Sequence, residues 1–361
     1  MGIFRFCLAV LIMVVHHLLP NEVNGQLTVE TFFVISGFFM AMILDKKYKE
    51  DIFGFYKARY LRLWPGFFIT VIASILYSYL FNNGVVGRPD YFIYVQSFSE
   101  IKNFLQYTDW YVKIYYFFVQ IFAIGIETVN FIDIDSNYKI SFTTERHAIE
   151  RIMPYFFNPV WALGMELSLY IVAPFIFKRK IVAVAFVIFG IIYKFYFKSG
   201  PMLSSFLPAE IGVFCLGFFA YKFYDKYKSR IDAISVKLQW GKMPCYFVII
   251  SIILFCYFHG YKTRAPYIGW LLIIAVLSPF MFSLTKESKL DNFMGKTSYY
   301  MYIRSVFGSW FQVLFSSNNF FLGVLGTFIF GALFVQFAEP LIDKIRFGKN
   351  YSKYHLEFKK Q

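Results

Sequence analysis

Charge is scarce in this chain. Charged residues fill 16% of its 361 positions, where a soluble domain would carry about 25%. Cysteine is scarcer still. Cys7, Cys215, Cys245 and Cys256 lie in or beside apolar runs and share no metal-ligand spacing. They read as small buried residues, not as disulfides or ligands, and no metal is expected. There is no glycine-rich phosphate loop of the Walker type, no zinc spacing and no nucleophile elbow, so serine-triad hydrolysis has no anchor. Internal repeats, low-complexity segments and a soluble domain are also missing.

Hydrophobic residues are what the chain has in excess, at 58%, with aromatics at 23%. Ten apolar runs are long enough to span a bilayer: 3–20, 27–44, 66–82, 158–177, 181–197, 203–223, 244–260, 266–284, 298–316 and 320–342. The net charge of +14 does not point to nucleic acid, because the cations sit between these runs. With the N-terminus inside, 24 of the 36 Lys and Arg fall on inner loops and the tail, and nine on outer loops. That is the positive-inside pattern. The first run lacks a small-x-small cleavage site and is kept as a helix rather than a signal peptide. An eleventh span at 110–131 would destroy the charge bias. That apolar segment is therefore expected to be re-entrant or interfacial, within a large outer loop. The expected fold is an all-α polytopic membrane protein of about ten transmembrane helices with both termini cytoplasmic. Residues 1–345 would form the integral domain, and 346–361 a basic cytoplasmic tail that anchors at the membrane surface.

Arg5 and His16 stand eleven residues apart in the first run. At about 100° per residue they return to within roughly 20° of one face, separated by roughly 16 Å along the axis. A cation and an imidazole on one stripe of a membrane helix are candidates for function, and His16 is the natural proton carrier. The alternative is an interfacial histidine with its ring among headgroups. His17 points about 100° away from that stripe. Glu30 opens the second run at a similar depth. It either orients the imidazole or is a helix-start acid favoured by the dipole. Gly37, on the same face, would let a neighbouring helix approach closely.

Arg59 and Arg62 lie three apart in FYKARYLRLWP. Two guanidiniums on one helix face form a phosphate-binding fork, although a basic inner loop is also an ordinary positive-inside anchor. Trp64 and Pro65 fit the interface and the start of the next helix. Glu166 lies deep in an apolar run and needs a partner or a role. Arg304 and Glu339 could form a structural ion pair. Glu210 is a weaker case of a membrane carboxylate.

Together these residues resemble the integral membrane acyltransferase 3 family, bacterial proteins that O-acylate sugars. The first helix is similar to the family's Arg-x10-His signature at Arg5 and His16. VETFFVISGFFM, with Glu30 and Ser36, resembles its second-helix motif. FYKARYLRLWP resembles its Arg-x-x-Arg-x-x-Pro loop at Arg59, Arg62 and Pro65. WALGMELSLYIVAP resembles its Trp-x-Leu-x-x-Glu segment, at Trp161, Glu166, Tyr170 and Pro174. GKTSYYMYI and Glu339-Pro340 resemble its closing motifs. Two features depart from the pattern. Ser305 stands about where many members have a histidine, and Ala58 precedes Arg59 where a further arginine is usual. No esterase domain of the SGNH type is fused at the C-terminus, which implies a single-component enzyme or a separate partner.

The resemblance implies acyl transfer, usually acetyl, in a bacterial cytoplasmic membrane. The donor would be cytosolic acyl-CoA (acetyl-CoA), a substrate rather than a resident cofactor. The acceptor would be a hydroxyl of a cell-envelope polysaccharide or its lipid-linked precursor. Arg5, Arg59 and Arg62 would hold the polyanionic donor. His16 would act as general base with Glu30 beside it. Glu166, Trp161, Ser36 and Arg304 are further candidates. Partners are then acyl-CoA, the carbohydrate acceptor and the bilayer, and not nucleic acid. Two rivals remain: a transporter or flippase for a glycolipid or small solute, and a structural membrane subunit without chemistry.

Overall fold

The computed structural model describes residues 1–17, 25–86, 98–135, 138–144, 161–197, 200–237, 264–303, 305–315 and 319–348. The side chains of residues 15–17, 100, 264, 305 and 306 are outside that description. The chain is nearly all-α. Among the described residues, five helices are long and apolar enough to cross a membrane: Gly25–Lys46, Ile52–Asn82, Gly200–Val236, Ala265–Thr285 and Phe320–Phe347. Two shorter apolar helices, Gly2–Val14 and Trp161–Ile176, accompany them. The expected span 244–260 lies outside the described residues.

The elements run in chain order as α1 (Gly2–His17), α2 (Gly25–Lys46), α3 (Ile52–Asn82), α4 (Phe98–Tyr107) and α5 (Trp110–Phe122). A 3-10 turn (Ile126–Phe131) and an antiparallel pair, β1 (Ile132–Ile134) and β2 (Ile140–Phe142), follow. Then come α6 (Trp161–Ile176), α7 (Lys180–Tyr196), α8 (Gly200–Ser204), α9 (Leu207–Lys237), α10 (Arg264–Thr285), α11 (Lys289–Ile303), α12 (Ser305–Leu314) and α13 (Phe320–Leu333). A π turn (Phe334–Ala338) leads into α14 (Glu339–Phe347).

Small residues set the tightest contacts. Gly37 of α2 lies on the Phe214 carbonyl and Gly217 of α9, and Gly217 in turn lies on Val34 and Phe38. Between membrane helices there is little hydrophobic driving force, so close backbone approach at glycine supplies the packing. The expected role of Gly37 is met here. The same device recurs where Gly190 of α7 meets Gly212 of α9, and where Gly2 of α1 meets Gly295 of α11. A carboxylate then caps α1: Asp291 of α11 accepts from the Gly2 amide at 2.7 Å and the Ile3 amide at 2.9 Å. Burial works to raise this carboxyl, but the Met1 amino group and the two amides outweigh it and hold it below the ordinary range.

One expectation is corrected. Residues 45–65 are not an inner loop followed by a helix beginning at Pro65. One 31-residue helix runs through Pro65, about 46 Å long at 1.5 Å per residue. Its start is fixed by Asp51, whose carboxylate accepts from the Gly54 amide at 2.7 Å. Pro65 cannot donate to the turn before it. Apolar packing on both sides carries the helix across it, and Tyr299 donates to the nearby Leu63 carbonyl at 2.6 Å. The expected span 298–316 is helical on both sides of residue 304, which lies outside the described residues.

Segment 110–131 is not one helix. α5 has 13 residues, about 20 Å and short of the roughly 30 Å hydrocarbon core. It ends where Ala123 and then Gly125 take positive φ, at 60° and 78°. Its C-terminal end reaches into the bundle, where Trp64 of α3 donates to the Ile121 carbonyl at 2.9 Å. The chain then returns along α6. Gly164 gives it room against Ala123, Ile126 and Glu127. Asn130 next donates to Ser205, before α9, at 2.7 Å. A small core of Phe104, Val112, Tyr116, Val119, Ile126, Val129 and Ile134 holds the motif together.

Candidate active site

Two groups of polar and charged side chains meet α2, one near its start and one at its middle. The first joins three helix ends. Glu30 is near the start of α2, Lys194 near the end of α7 and Glu210 near the start of α9. The Lys194 ammonium donates to Glu30 Oε1 at 2.8 Å and to Glu210 Oε1 at 2.7 Å. All three side chains are at most 1% exposed. Gln26 adds a donor to Glu30 at 2.8 Å. Glu30 is therefore tied to a lysine partner. A lone lysine in an apolar run gave no sign of which carboxylate it would meet, since 164 residues separate Lys194 from Glu30.

The second group lies six residues further along α2. Ser36 of α2 donates to Glu166 Oε1 at 3.0 Å and lies 2.9 Å from the Tyr170 hydroxyl. Tyr170, one helical turn past Glu166, donates to the same carboxylate oxygen. This satisfies one oxygen of Glu166 twice. The other makes no hydrogen bond among the described residues, and the side chain stays half-exposed in the interior. Such a carboxylate can take or hold a proton, or receive a substrate hydroxyl. Trp161 opens α6 and packs half-buried against the main core.

Arg5 faces this group from α1. It is half-exposed, and its guanidinium lies 5.9 Å from the centre of the Phe32 ring. It is within electrostatic reach of Glu166 and Tyr170. Tyr302 of α11, beside Phe32 with ring centres 6.4 Å apart, also feels the Glu166 charge. α1, α2, α6 and α11 thus present a cation, a carboxylate and hydroxyls to one interior surface with aromatic walls.

From Arg5 a row of guanidiniums runs along α3. Arg5 repels Arg62, Arg62 repels Arg59, and Arg59 repels Arg346 of α14. Arg59 is only 7% exposed. Among the described residues it has no carboxylate partner, and its Nε makes no hydrogen bond. Buried cations are normally paired, because removal from water costs several kcal/mol. A buried guanidinium whose neighbours are other guanidiniums can take an anion through charge-assisted hydrogen bonds.

The remaining candidates stand as follows. The backbone of α1 carries His16 in its last turn, eleven residues past Arg5, while its side chain and the whole of Arg304 lie outside the described residues. Glu339, expected opposite Arg304, has Lys296 at 3.0 Å among the described residues. No group of three or more metal-ligating side chains occurs among the described residues.

Neither the curated proteins nor the solved structures searched contain a match to this chain. A family model described as an acyltransferase domain covers residues 3–338. That range takes in Arg5, Glu30, Ser36, Arg59, Arg62 and Glu166, so the chain belongs to the acyltransferase 3 family and is an acyltransferase of the membrane.

Proposed function

We propose that the protein moves an acyl group, acetyl in the first instance, from cytosolic acyl-CoA to a hydroxyl of a cell-surface polysaccharide or its lipid-linked precursor. The membrane would be the bacterial cytoplasmic membrane, crossed ten times with both termini inside. The observation that carries this reading is Arg59: a buried guanidinium without a carboxylate, in a row that leads through Arg62 to Arg5 and the half-exposed Glu166.

On this reading the phosphates of acyl-CoA bind Arg59 and Arg62 at the inner face, and Arg5 draws the thioester inward. The acceptor hydroxyl enters from the other side. His16 takes its proton as the oxygen attacks the thioester carbonyl; the carbon–sulfur bond breaks and the thiolate of CoA recovers the proton. Ser36, Tyr170 and Glu166 would orient the acceptor or polarise the thioester, with Trp161 packing at the head of their helix. Glu30 acts at a distance, by holding the start of α2 through Lys194. A relay through an acylated side chain would obey the same balance in two steps.

The test is mass spectrometry of cell-envelope polysaccharides from a deletion strain complemented with wild type or His16→Ala, at matched membrane levels. Loss of one acyl mass per repeat, restored by wild type and not by His16→Ala, is the expected result. Unchanged acylation in the deletion strain, or full rescue by His16→Ala, would sink the mechanism and favour a transporter of a glycolipid or small solute.

A further inference from the structure

Arg346 lies beyond the matched region 3–338 and, on charge pattern, at the start of the expected tail. In the structure it belongs to α14, is 9% exposed and packs into the bundle. The π turn Phe334–Ala338 sets its position. A π turn holds an extra residue and so re-aims everything after it. After the turn, Glu339 pairs with Lys296 at 3.0 Å, and α14 packs against α3, which brings the buried Arg346 within electrostatic reach of the buried Arg59. We propose that Arg346 is a third phosphate-binding arginine of the donor site, closing it from α14. This rests on the reading of Arg59 and Arg62 as the acyl-CoA site.

The argument is one of charge balance. Arg346 does have a carboxylate: Asp343, one turn back, at 3.2 Å. That anion serves Arg346 and leaves the repulsion across the α3–α14 contact in place, because Arg59 gains no carboxylate. Two buried guanidiniums repel each other strongly at low dielectric. A phosphate between them reverses the sign, and the planar fork of each arginine suits two oxygens of one phosphate. The rim carries further chemistry for a nucleotide. The Phe347 ring has the Arg346 guanidinium 4.7 Å from its centre on the one hand and the Lys47 ammonium 4.3 Å away on the other. The phosphate could belong to acyl-CoA or to a lipid headgroup. Depth favours acyl-CoA, since the Arg346–Arg59–Arg62–Arg5 row leads inward to Glu166 and not out along the surface.

The experiment is titration of acetyl-CoA into the full chain in nanodiscs of phosphatidylcholine, by calorimetry at two salt concentrations. Arg346→Gln should weaken binding about tenfold or more, as loss of one charge-assisted phosphate contact does, and should flatten the salt dependence. Lys344→Gln removes an exposed cation from the same helix and should leave affinity unchanged. If Arg346→Gln binds like wild type while Arg59→Gln is weakened, the inference falls and the donor site stands. If wild type does not bind acetyl-CoA, the donor-site reading falls and takes the inference with it. Equal losses in Arg346→Gln and Lys344→Gln would reduce the effect to general electrostatics and overturn the assignment. An Arg346→Gln effect confined to retention of phosphatidylglycerol in mixed discs would assign the site to lipid and also overturn it. A measurement on wild type covers a variant that does not fold. Amide exchange across 339–347 should slow on addition of acetyl-CoA, and no change would refute the proposal.

Discussion

The two groups of buried charge differ in one respect that separates structure from chemistry. At the Glu30 end, an ammonium sits between two carboxylates at 2.8 and 2.7 Å, and the second oxygen of each has no hydrogen-bond partner among the described residues. At the Arg59 end, cation follows cation, with no carboxylate on Arg59 among the described residues. Both are costly to bury. In the first, groups of opposite charge within the fold offset part of the cost. In the second, no carboxylate among the described residues offsets it at Arg59, and on the proposed reading the phosphates of the donor do. The lesson is that intramembrane charge marks function only after its partners are known.

The comparison is broken most severely at its paired end. Lys194→Met leaves two carboxylates buried together with no cation. A loss of about 3–5 kcal/mol is expected, the typical cost of removing one partner from a buried pair. It would be read as a lowered temperature at which the detergent-solubilised protein leaves its monodisperse peak. Adding Glu30→Gln and Glu210→Gln to Lys194→Met should restore most of it, since no unpaired charge then remains. A Lys194→Met protein as stable as wild type would remove the structural reading of Glu30 and reopen its place beside His16.

The unpaired end should behave in the opposite way. Arg59→Gln removes a buried charge that no carboxylate balances, so thermal stability should hold or rise. Acetyl-CoA binding should weaken about tenfold or more, roughly 1.4 kcal/mol or above. Calorimetry beside a thermal scan separates the two. A destabilised Arg59→Gln with unchanged affinity would make both the Glu30 and the Arg59 groups structural.

Much of this arrangement was legible in the sequence, and the reason is local. The Arg5–His16 spacing, the Arg59–Arg62 fork and the Glu166–Tyr170 turn are helical registers, which need only the 3.6-residue period. Gly37 was legible as a close-contact position for the same reason. What was hidden is pairing across the chain. Lys194 finds Glu30 only because α2, α7 and α9 pack by their glycines. Arg346 looked like tail because a basic C-terminal stretch is a common anchor, and only the π turn aims it at Arg59. Pro65 read as a helix start, the commonest place for proline near a basic loop. The Asp51 cap, fourteen residues earlier, was the stronger signal.

Glu127 sharpens the comparison with a third kind of buried group, an acid with no cation partner among the described residues. It lies in the 3-10 turn that follows α5, 2% exposed, against the notch at Gly164. Ser168 donates to its Oε1 at 2.6 Å, while Oε2 has no hydrogen-bond partner among the described residues. Burial raises its carboxyl above the ordinary carboxylate range, and the Ser168 and backbone hydrogen bonds only reduce that shift. The folded state therefore holds this proton more tightly than the unfolded chain. The docked motif is fully stable below the ordinary carboxylate pKa and loses stability as pH rises from there through the raised value. Glu127→Gln keeps the shape and a polar partner for Ser168, but carries no charge. It should abolish that pH dependence and leave the motif more stable at neutral pH, by about 1 kcal/mol or less if the site relaxes. Amide exchange across 110–131 at two pH values measures it. Identical pH profiles for wild type and Glu127→Gln would mean that Glu127 stays in one protonation state throughout, and that the motif docks by packing alone.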